Sequence, residues 1–170
     1  FKIFANFFNG PKKEVSDEDL QSLMQPSETV QSDPALAYKF EKLNLTLATG
    51  SPSAASIVLS RQEKQWTGSA FGSGPIEASF EAVNSVLNLH PVLEGYNVES
   101  QSTGVKALGE AQVKLRFGSP VFIGVGSSVD ILEASVKAYI DACNQYLSFQ
   151  QLRSNVGSTN KKEPKQSLAW

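Results

Sequence analysis

The sequence predicts an α+β fold made of two β-β-β-α pseudo-repeat units, with antiparallel sheets and helices packed on them. Three observations carry that expectation. Apolar residues alternate with polar ones over several short stretches, the two-residue period of a half-buried strand. Each trio of such stretches is followed by an apolar stripe at helical spacing. The same words also open both helices: "GSGPIEASFEAV" at 72–83 and "GSSVDILEASVKAY" at 126–139. Glu77-Ala78-Ser79 returns as Glu133-Ala134-Ser135, 56 positions on, and under that offset Phe80 meets Val136, Ala82 meets Ala138 and Leu87 meets Cys143. The strands agree only in pattern.

Taken in order, residues 1–24 read as helical in two pieces. "FKIFANFF" is broken by Asn9-Gly10-Pro11, and "SDEDLQSLM" starts on Ser16 as an N-cap with acidic residues in its first turn. "QPSETVQSDPA" at 25–35 is polar, holds two prolines and reads as a linker. Strands follow in "FEKLNLTLATG", where Leu43, Leu45 and Leu47 alternate, in "SAASIVLSRQ" and in "KQWTGSAF", with Glu63-Lys64 in a turn. A helix from Pro75 to about Leu89 presents Ile76, Phe80, Val83 and Leu87 on one face. The programme then repeats: "YNVESQS", "GEAQVKLRF" and "PVFIGV" are strands, and a helix runs from Val129 to Gln150 with Leu132, Val136, Tyr139, Ile140, Cys143 and Leu147 as its stripe. The organisation expected is a helical linker subdomain at 1–35, a domain at 36–150 with repeat units at about 36–90 and 91–150, and a polar, mobile tail at 151–170. The helices lie on one face of an antiparallel sheet, or the sheets of the two units pair with the helices outside.

Length and composition narrow the function classes. A chain of 170 residues, 41% apolar and 19% charged, holds one real core. A net charge of −2 gives no electrostatic case for nucleic acid or an anionic membrane. No apolar run approaches a membrane span, and no secretory leader is visible. The first residues, "FKIFANFF", lack an initiator Met and read as a piece of a longer protein. Cys143 is the single cysteine and lies in a helical stripe, so it reads as a buried thiol in a reducing compartment. His90 is the single histidine. A catalytic triad or a metal cluster needs partners that these residues do not offer, so no catalytic residue and no metal ligand is expected.

The repeated helix start is the feature that can hold a ligand. The first N–H groups of a helix have no partner within it, and the dipole adds positive charge there. Pro75 gives up an N–H that was an orphan anyway, and Gly72 and Gly74 let a bound group approach the backbone. The amides of Ile76, Glu77 and Ala78 are then expected to receive a carboxylate or phosphate, with the Ser73 hydroxyl beside them. Glycine and serine before a helix also serve plain capping. The pattern is no phosphate-binding loop, since no Gly-Lys-Ser/Thr follows, and no dinucleotide fingerprint, since Glu77 stands where a third glycine belongs. Two such starts, from the repeat or from two chains, could face each other around one small molecule.

These words together resemble the C-terminal allosteric domain of the α-isopropylmalate synthase and citramalate synthase family. The resemblance rests on Gly72, Gly74, Pro75, Ile76, Glu77 and Ala78, then on Asp130-Ile131, Ala134-Ser135, Ala138-Tyr139 and Ala142 with Asn144. "LNLTLATG" and "SAASIVL" are similar to the family's opening hairpin, and "GPKKEVSDEDLQSLM" to the helical subdomain before it. The resemblance implies a homodimeric parent that condenses acetyl-CoA with a 2-oxo acid on a metal-bearing (β/α)₈ barrel. That barrel and its divalent metal would lie outside this segment, which is not expected to be active alone and to need no cofactor. The segment would bind leucine, or isoleucine in a citramalate synthase, at the interface of two copies. Residue by residue, Gly72–Ala78 would meet the effector's charged end. Leu93, Tyr96, Ser100, Ala107 and Gly109 would line its side-chain pocket, although Leu93 and Tyr96 also suit a core. A cytoplasmic location, or an organellar one in a eukaryote, goes with the family. Two departures from the family pattern stand out: Ser73 between the loop glycines, and Val105-Lys106 before Ala107. A dimerisation module that no longer senses an amino acid is the reading they would favour.

Overall fold

Alternation and helical periodicity are realised as two successive β-β-β-α units. The computed structural model describes residues 34–47, 49–100 and 108–159. The helices expected within 1–24, most of the linker, Ala107 and the last part of the tail lie outside them. The first unit holds β1 (Lys39–Thr46), β2 (Ser53–Arg61), β3 (Lys64–Gly72) and α1 (Pro75–Leu87). The second holds β4 (Val92–Ser100), β5 (Gly109–Arg116), β6 (Val121–Ser128) and α2 (Ile131–Thr159). Each trio forms its own antiparallel sheet, in the orders β1-β2-β3 and β4-β5-β6. The two sheets do not pair.

Register shows how far the repeat extends. Leu43, Ile57 and Gly68 lie abreast in the first sheet, and Tyr96, Val113 and Gly124 in the second. Ile57 and Val113, like Gly68 and Gly124, keep the 56-residue offset of the helices. Leu43 and Tyr96 are only 53 apart, because Tyr96 stands 17 positions before its partner Val113 where Leu43 stands 14 before Ile57. A bulge recurs at the same place, between Phe40 and Lys42 and between Leu93 and Gly95. The strands are therefore equivalent in register as well as in pattern.

Apolar side chains at every second strand position face the helices. Ala55, Ile57 and Leu59 of β2, and Ala111, Val113 and Leu115 of β5, are buried against Ala78, Phe80, Ala82 and Val83 of α1 and Ala134, Val136, Ala138, Tyr139, Ile140, Ala142 and Cys143 of α2. Burying a side chain such as Ile57 or Leu115 contributes about 1.5–3 kcal/mol. α1 packs on β2 and β3, and α2 on β5 and β6. Each helix also reaches the first strand of the other sheet. Lys137 of α2 stands 5.9 Å over the Phe40 ring of β1, and Phe80 of α1 meets Tyr96 of β4 edge-on at 6.2 Å. The joint between units is polar where it must be. Asn144 clamps the backbone of Tyr38 through two 2.9 Å bonds, accepting from its N–H and donating to its carbonyl. Tyr139 donates to Asn84 Oδ1 at 2.9 Å.

Helix α2 comes unusually close to its sheet. Ala134, Ala138 and Ala142 recur every fourth residue on one face of it. A Cβ on Gly124 would lie 2.0 Å from the Ala138 carbonyl oxygen.

Several boundaries differ from the sequence reading. The β2–β3 turn is centred on Gln62 and Glu63, both left-handed (φ 49° and 62°), one residue before the expected Glu63-Lys64. Such a turn usually carries Asn or Gly, and neither stands at 62 or 63 to mark it. α1 stops at Leu87 because Asn88 turns left-handed (φ 51°). β4 begins at Val92, earlier than Tyr96, because the bulge around Glu94 breaks the alternation. α2 begins at Ile131 and runs past Gln150 to Thr159, so residues 151–159 of the expected polar tail are helical.

Replacing Gly124 by Ala is expected to lower the unfolding free energy by about 1–3 kcal/mol or more, since a main-chain oxygen blocks the new methyl. Gly118→Asn, in an open left-handed turn (φ 69°), should stay near wild type in the same denaturant titration.

Candidate functional site

The start of α1 is built by the end of β3 folding tightly over the first helical turn. A Cβ on Gly72 would lie 2.3 Å from the Ala78 nitrogen, so only glycine lets the strand turn there. Gly74 is the N-cap, with extended φ −150° and ψ 172° and no side-chain cap; Pro75 follows at the first helical position. Nothing lies within 4 Å of a Cβ built on Gly74. Its lack of a side chain is thus not required by the chain's own packing. Glu77 reaches back and accepts from the Ser73 N–H at 2.7 Å and from the Ser73 hydroxyl. Those bonds hold the Glu77 carboxyl below its ordinary pKa.

This geometry amends the sequence reading of the amides. Ala78 is fully buried and its N–H donates to the Gly74 carbonyl at 3.0 Å, closing the first turn. Ile76 and Glu77 are at the positions whose N–H groups have no acceptor four residues back. The Ser73 hydroxyl is committed to Glu77. The start of α1 therefore combines main-chain donors with a carboxylate, a pairing suited to a zwitterion better than to a bare anion.

The start of α2 has the same backbone and opposite chemistry. Asp130 occupies the position equivalent to Gly74. Its Oδ1 accepts from the N–H of Leu132 at 2.8 Å and of Glu133 at 3.4 Å, while Ala134 N–H donates to its carbonyl at 2.9 Å. The second start is capped by its own side chain; the first is left open.

Of the other expected site residues, Tyr96, Ser100 and Gly109 lie toward the start of α2, whereas Leu93 lies at the opposite end of β4. Gly109 lies abreast of Ser100 and Ser128 in the sheet, and a Cβ on it would come 2.7 Å from Ile131 Cδ1. Tyr96 Oη is 2.7 Å from Ser135 Oγ. Because Ser135 donates to the Ile131 carbonyl, Tyr96 is the donor. Leu93, abreast of Leu115, is 44% exposed and Tyr96 40% exposed. Both belong to the helix-facing side of β4, where α2 does not cover them as it covers β5 and β6. Leu108, Val129 and Ile131 are exposed around the Gly109 end of the sheet, away from Leu93. The link to α1 is Phe80, one turn beyond Ile76: its ring meets Tyr96 edge-on and stacks on Tyr139 at 4.3 Å. Phe80, Ile131 and Ser135 were not singled out as site residues from sequence. The Ser79/Ser135 repeat was the one signal, since both hydroxyls bond the carbonyl four residues back.

Two shallow clefts, of about 470 and 550 Å³, lie around Lys39–Arg61 and around Arg61–Gln150, away from the helix starts. Among the described residues no group of three or more His, Cys, Asp or Glu side chains could hold a metal ion, and no helix is long and apolar enough to cross a membrane. Cys143 is buried, which pushes its thiol pKa up and keeps it unreactive.

The Glu77–Ser73 bonds predict a pH dependence. A carboxyl whose pKa is depressed on folding adds stability above its unfolded value, near 4.5, and loses it as pH falls through the lowered folded value. Glu77→Gln should therefore be less stable than wild type at pH 7. The two proteins should converge in urea titrations as pH drops well below 4.5.

Residues 14–147 match the model of the LeuA allosteric (dimerisation) domain. The chain is 36% identical over 148 residues to a 2-isopropylmalate synthase of Carboxydothermus hydrogenoformans, covering 86% of this chain and 28% of that protein. It is 37% identical over 134 residues to the 2-isopropylmalate synthase of Neisseria meningitidis serogroup A, covering 79% of this chain and 26% of the relative. A Nostoc protein of the same name is 33% identical over 141 residues, 82% of this chain and 26% of its own length. The chain thus spans about a quarter of the length of these relatives. Two β-β-β-α units, paired helix starts of the expected wording and this match agree: the chain belongs to the LeuA allosteric (dimerisation) domain family.

Proposed function

We propose that this chain is the effector-sensing and dimer-forming part of a 2-isopropylmalate synthase, and that its effector is leucine. The observation that carries the reading is the contrast between the two helix starts. The open one at Gly74 adjoins, through Phe80, the exposed ring of Tyr96, with the exposed Ile131 at the start of α2. Leucine needs both halves of that arrangement. Its carboxylate would sit on the amides of Ile76 and Glu77, and its ammonium on the Glu77 carboxylate. Its isobutyl group would lie against Tyr96. One chain leaves these groups facing solvent, which supports a pocket completed by a second copy in a homodimer.

The parent reaction would join acetyl-CoA to a 2-oxo acid in the part of the protein outside this chain, together with its metal. Here the work is linkage. Leucine favours one arrangement of the dimer, and that bias passes along the chain to the catalytic part. A cytoplasmic setting fits this role, and neither nucleic acid nor membrane is a partner. The names of the relatives favour leucine over isoleucine, and the two differ only in where they branch, worth about 1–3 kcal/mol in a shaped pocket.

Thermal unfolding with a panel of branched-chain amino acids tests the reading. Leucine at ~100 times its Kd should stabilise by about 2.7 kcal/mol per site. For a chain of this size that raises the midpoint by roughly 5 °C. A shift with isoleucine alone would assign the citramalate branch. A folded dimer answering to none would be a dimerisation module without a sensor. Gly74→Ser should keep or slightly raise the unliganded midpoint, because serine caps a helix better than glycine by a few tenths of a kcal/mol. Its side chain should nonetheless abolish the leucine shift; an unchanged shift would remove this helix start from the site.

A further inference from the structure

We propose that the cleft between the end of β2 and the far half of α2 is a separate ligand site, in which Arg61 holds the carboxylate of a small aliphatic acid. It lies away from both helix starts and does not depend on the effector reading. About 550 Å³ in size, it is walled by Leu36 and Leu147 and bordered by Gln150 and Gln151. Arg61 is the one charged side chain among the described residues that line it.

Arg61 is firmly placed yet unmatched. Its guanidinium lies 5.1 Å over the ring of Tyr38, which meets Trp66 edge-on at 5.6 Å. Asn144 of α2 fixes the Tyr38 backbone, so the stack is anchored on two sides. Among the described residues no carboxylate comes within ion-pair distance of Arg61. Its Nε is buried without a hydrogen-bond partner, a costly state for a donor on a charged group. Lys64 stands directly abreast of Arg61 across the β2–β3 pair, and like charges so placed repel. A carboxylate taken side-on by Nε and one Nη would answer all three: it meets the orphan donor, pairs the charge and lowers the repulsion.

The repeat supplies an internal control. At the 56-residue offset Arg61 corresponds to Phe117, Lys64 to Pro120 and Trp66 to Phe122. Phe117 stacks on Tyr146 of α2 at 4.0 Å and meets Phe122 edge-on at 5.9 Å. The stacking place filled by a phenyl ring in the second unit is filled in the first by a planar cation. A ring suffices for packing there, so charge and donors are what Arg61 adds. The two clefts at Arg61 then differ in what they can take. The other one also holds Lys39, Glu41 and Glu63, whose carboxylates would compete with an incoming acid. The Leu36–Leu147 cleft has no acid among the described residues, so the ammonium of an amino acid would find no partner in it. Its two leucines favour an aliphatic body over a bare ion such as phosphate.

Butanoate is the probe, titrated calorimetrically into the 170-residue chain at fixed ionic strength, with butylamine and inorganic phosphate as controls. Butanoate should bind once per chain, and each control ~10-fold more weakly or worse. Arg61→Phe installs the residue that the sister unit carries at this place, so the fold should be retained, as circular dichroism would check. It should raise the butanoate dissociation constant ~10-fold or more, and Arg61→Gln, which keeps a polar side chain without the charge, should do the same. A wild type that does not bind butanoate overturns the proposal, as does binding unchanged in the two variants. Butylamine or phosphate binding as tightly as butanoate overturns it too, the first by removing the carboxylate and the second by removing the aliphatic body. The leucine-induced thermal shift should persist in Arg61→Phe; its loss there would merge this cleft with the helix-start site and overturn the proposal of a separate one.

Discussion

The closeness of helix to sheet is the constraint on which the other features depend. Gly124 lies under the Ala138 carbonyl and Gly126 under that of Ala134, with contacts of 2.0 and 2.3 Å for any added Cβ. Gly68, the counterpart of Gly124, lies under Ala82 in the first unit. A helix lowered onto a strand with no side chain between them cannot slide or roll without meeting main-chain atoms, because packed interiors do not deform continuously. The helix N-termini are consequently fixed relative to the strand ends that feed them. Fixed termini are what a site built from main-chain donors needs, since amides have no rotamers with which to correct a misplacement. The same closeness brings the helices near enough to each other for Phe80 to stack on Tyr139 and for Tyr139 to reach Asn84.

On that common frame the two units have diverged at two places that the fold leaves free. At the N-cap, Asp130 satisfies its own helix while Gly74 leaves the equivalent helix open. On the outer sheet face, β6 is aliphatic where β3 is polar. The helix-facing positions of the middle strands conserve size and polarity, Ala55 with Ala111, Ile57 with Val113 and Leu59 with Leu115, as do Ser79 and Ser135, whereas the buried helix pairs Phe80 with Val136 and Asn84 with Ile140 differ. Equivalence in the middle strands and divergence at the exposed positions separate what both units need for packing from what each presents to other molecules. A single unrepeated chain offers no such comparison.

Much of this was legible in the sequence because local periodicity and local wording carried it. The alternation of "SAASIVLSRQ", the helical stripes and the repeated Glu-Ala-Ser gave the order and type of the elements, and Gly-Ser-Gly-Pro gave the start of α1. The features that escaped depend on chain segments far apart. The bulge at Glu94 hid the beginning of β4, and the left-handed turn at Gln62–Glu63 carried none of its usual residues. The extension of α2 to Thr159 was masked by polar composition, although it is tied by such i, i+4 contacts as Ser154 Oγ to the Gln150 carbonyl at 3.0 Å. The buried Ala78 amide shows a different limit: a helix start reads as open until the pairing of its first turn is known. Of the candidate site, the part carried by one motif was legible. The meeting of Phe80, Tyr96 and Ser135, 55 residues apart from first to last, was not.

That meeting also bears on how a ligand could be felt beyond its own contacts. Tyr96 belongs to β4, yet its hydroxyl is held by α2 through Ser135 and its ring by α1 through Phe80. Phe80 in turn stacks on Tyr139, which bonds Asn84 of α1, and one helical turn beyond Tyr139, Asn144 clamps the backbone of Tyr38 at the start of the first unit. A group pressed against Tyr96 thus touches both helices and, through them, the point where the chain enters the domain. Coupling needs only that two arrangements of this contact set differ in their affinity for the ligand. The rigid glycine–alanine contacts on either side favour a discrete change at the Phe80–Tyr96–Tyr139 contact over a graded one, because the helices have no soft direction in which to absorb a partial shift. Under the proposed function the open helix start and the aromatic joint would be parts of one device: the first would hold the ligand's charged groups, and the second would convert the position of its side chain into the relative placement of two units.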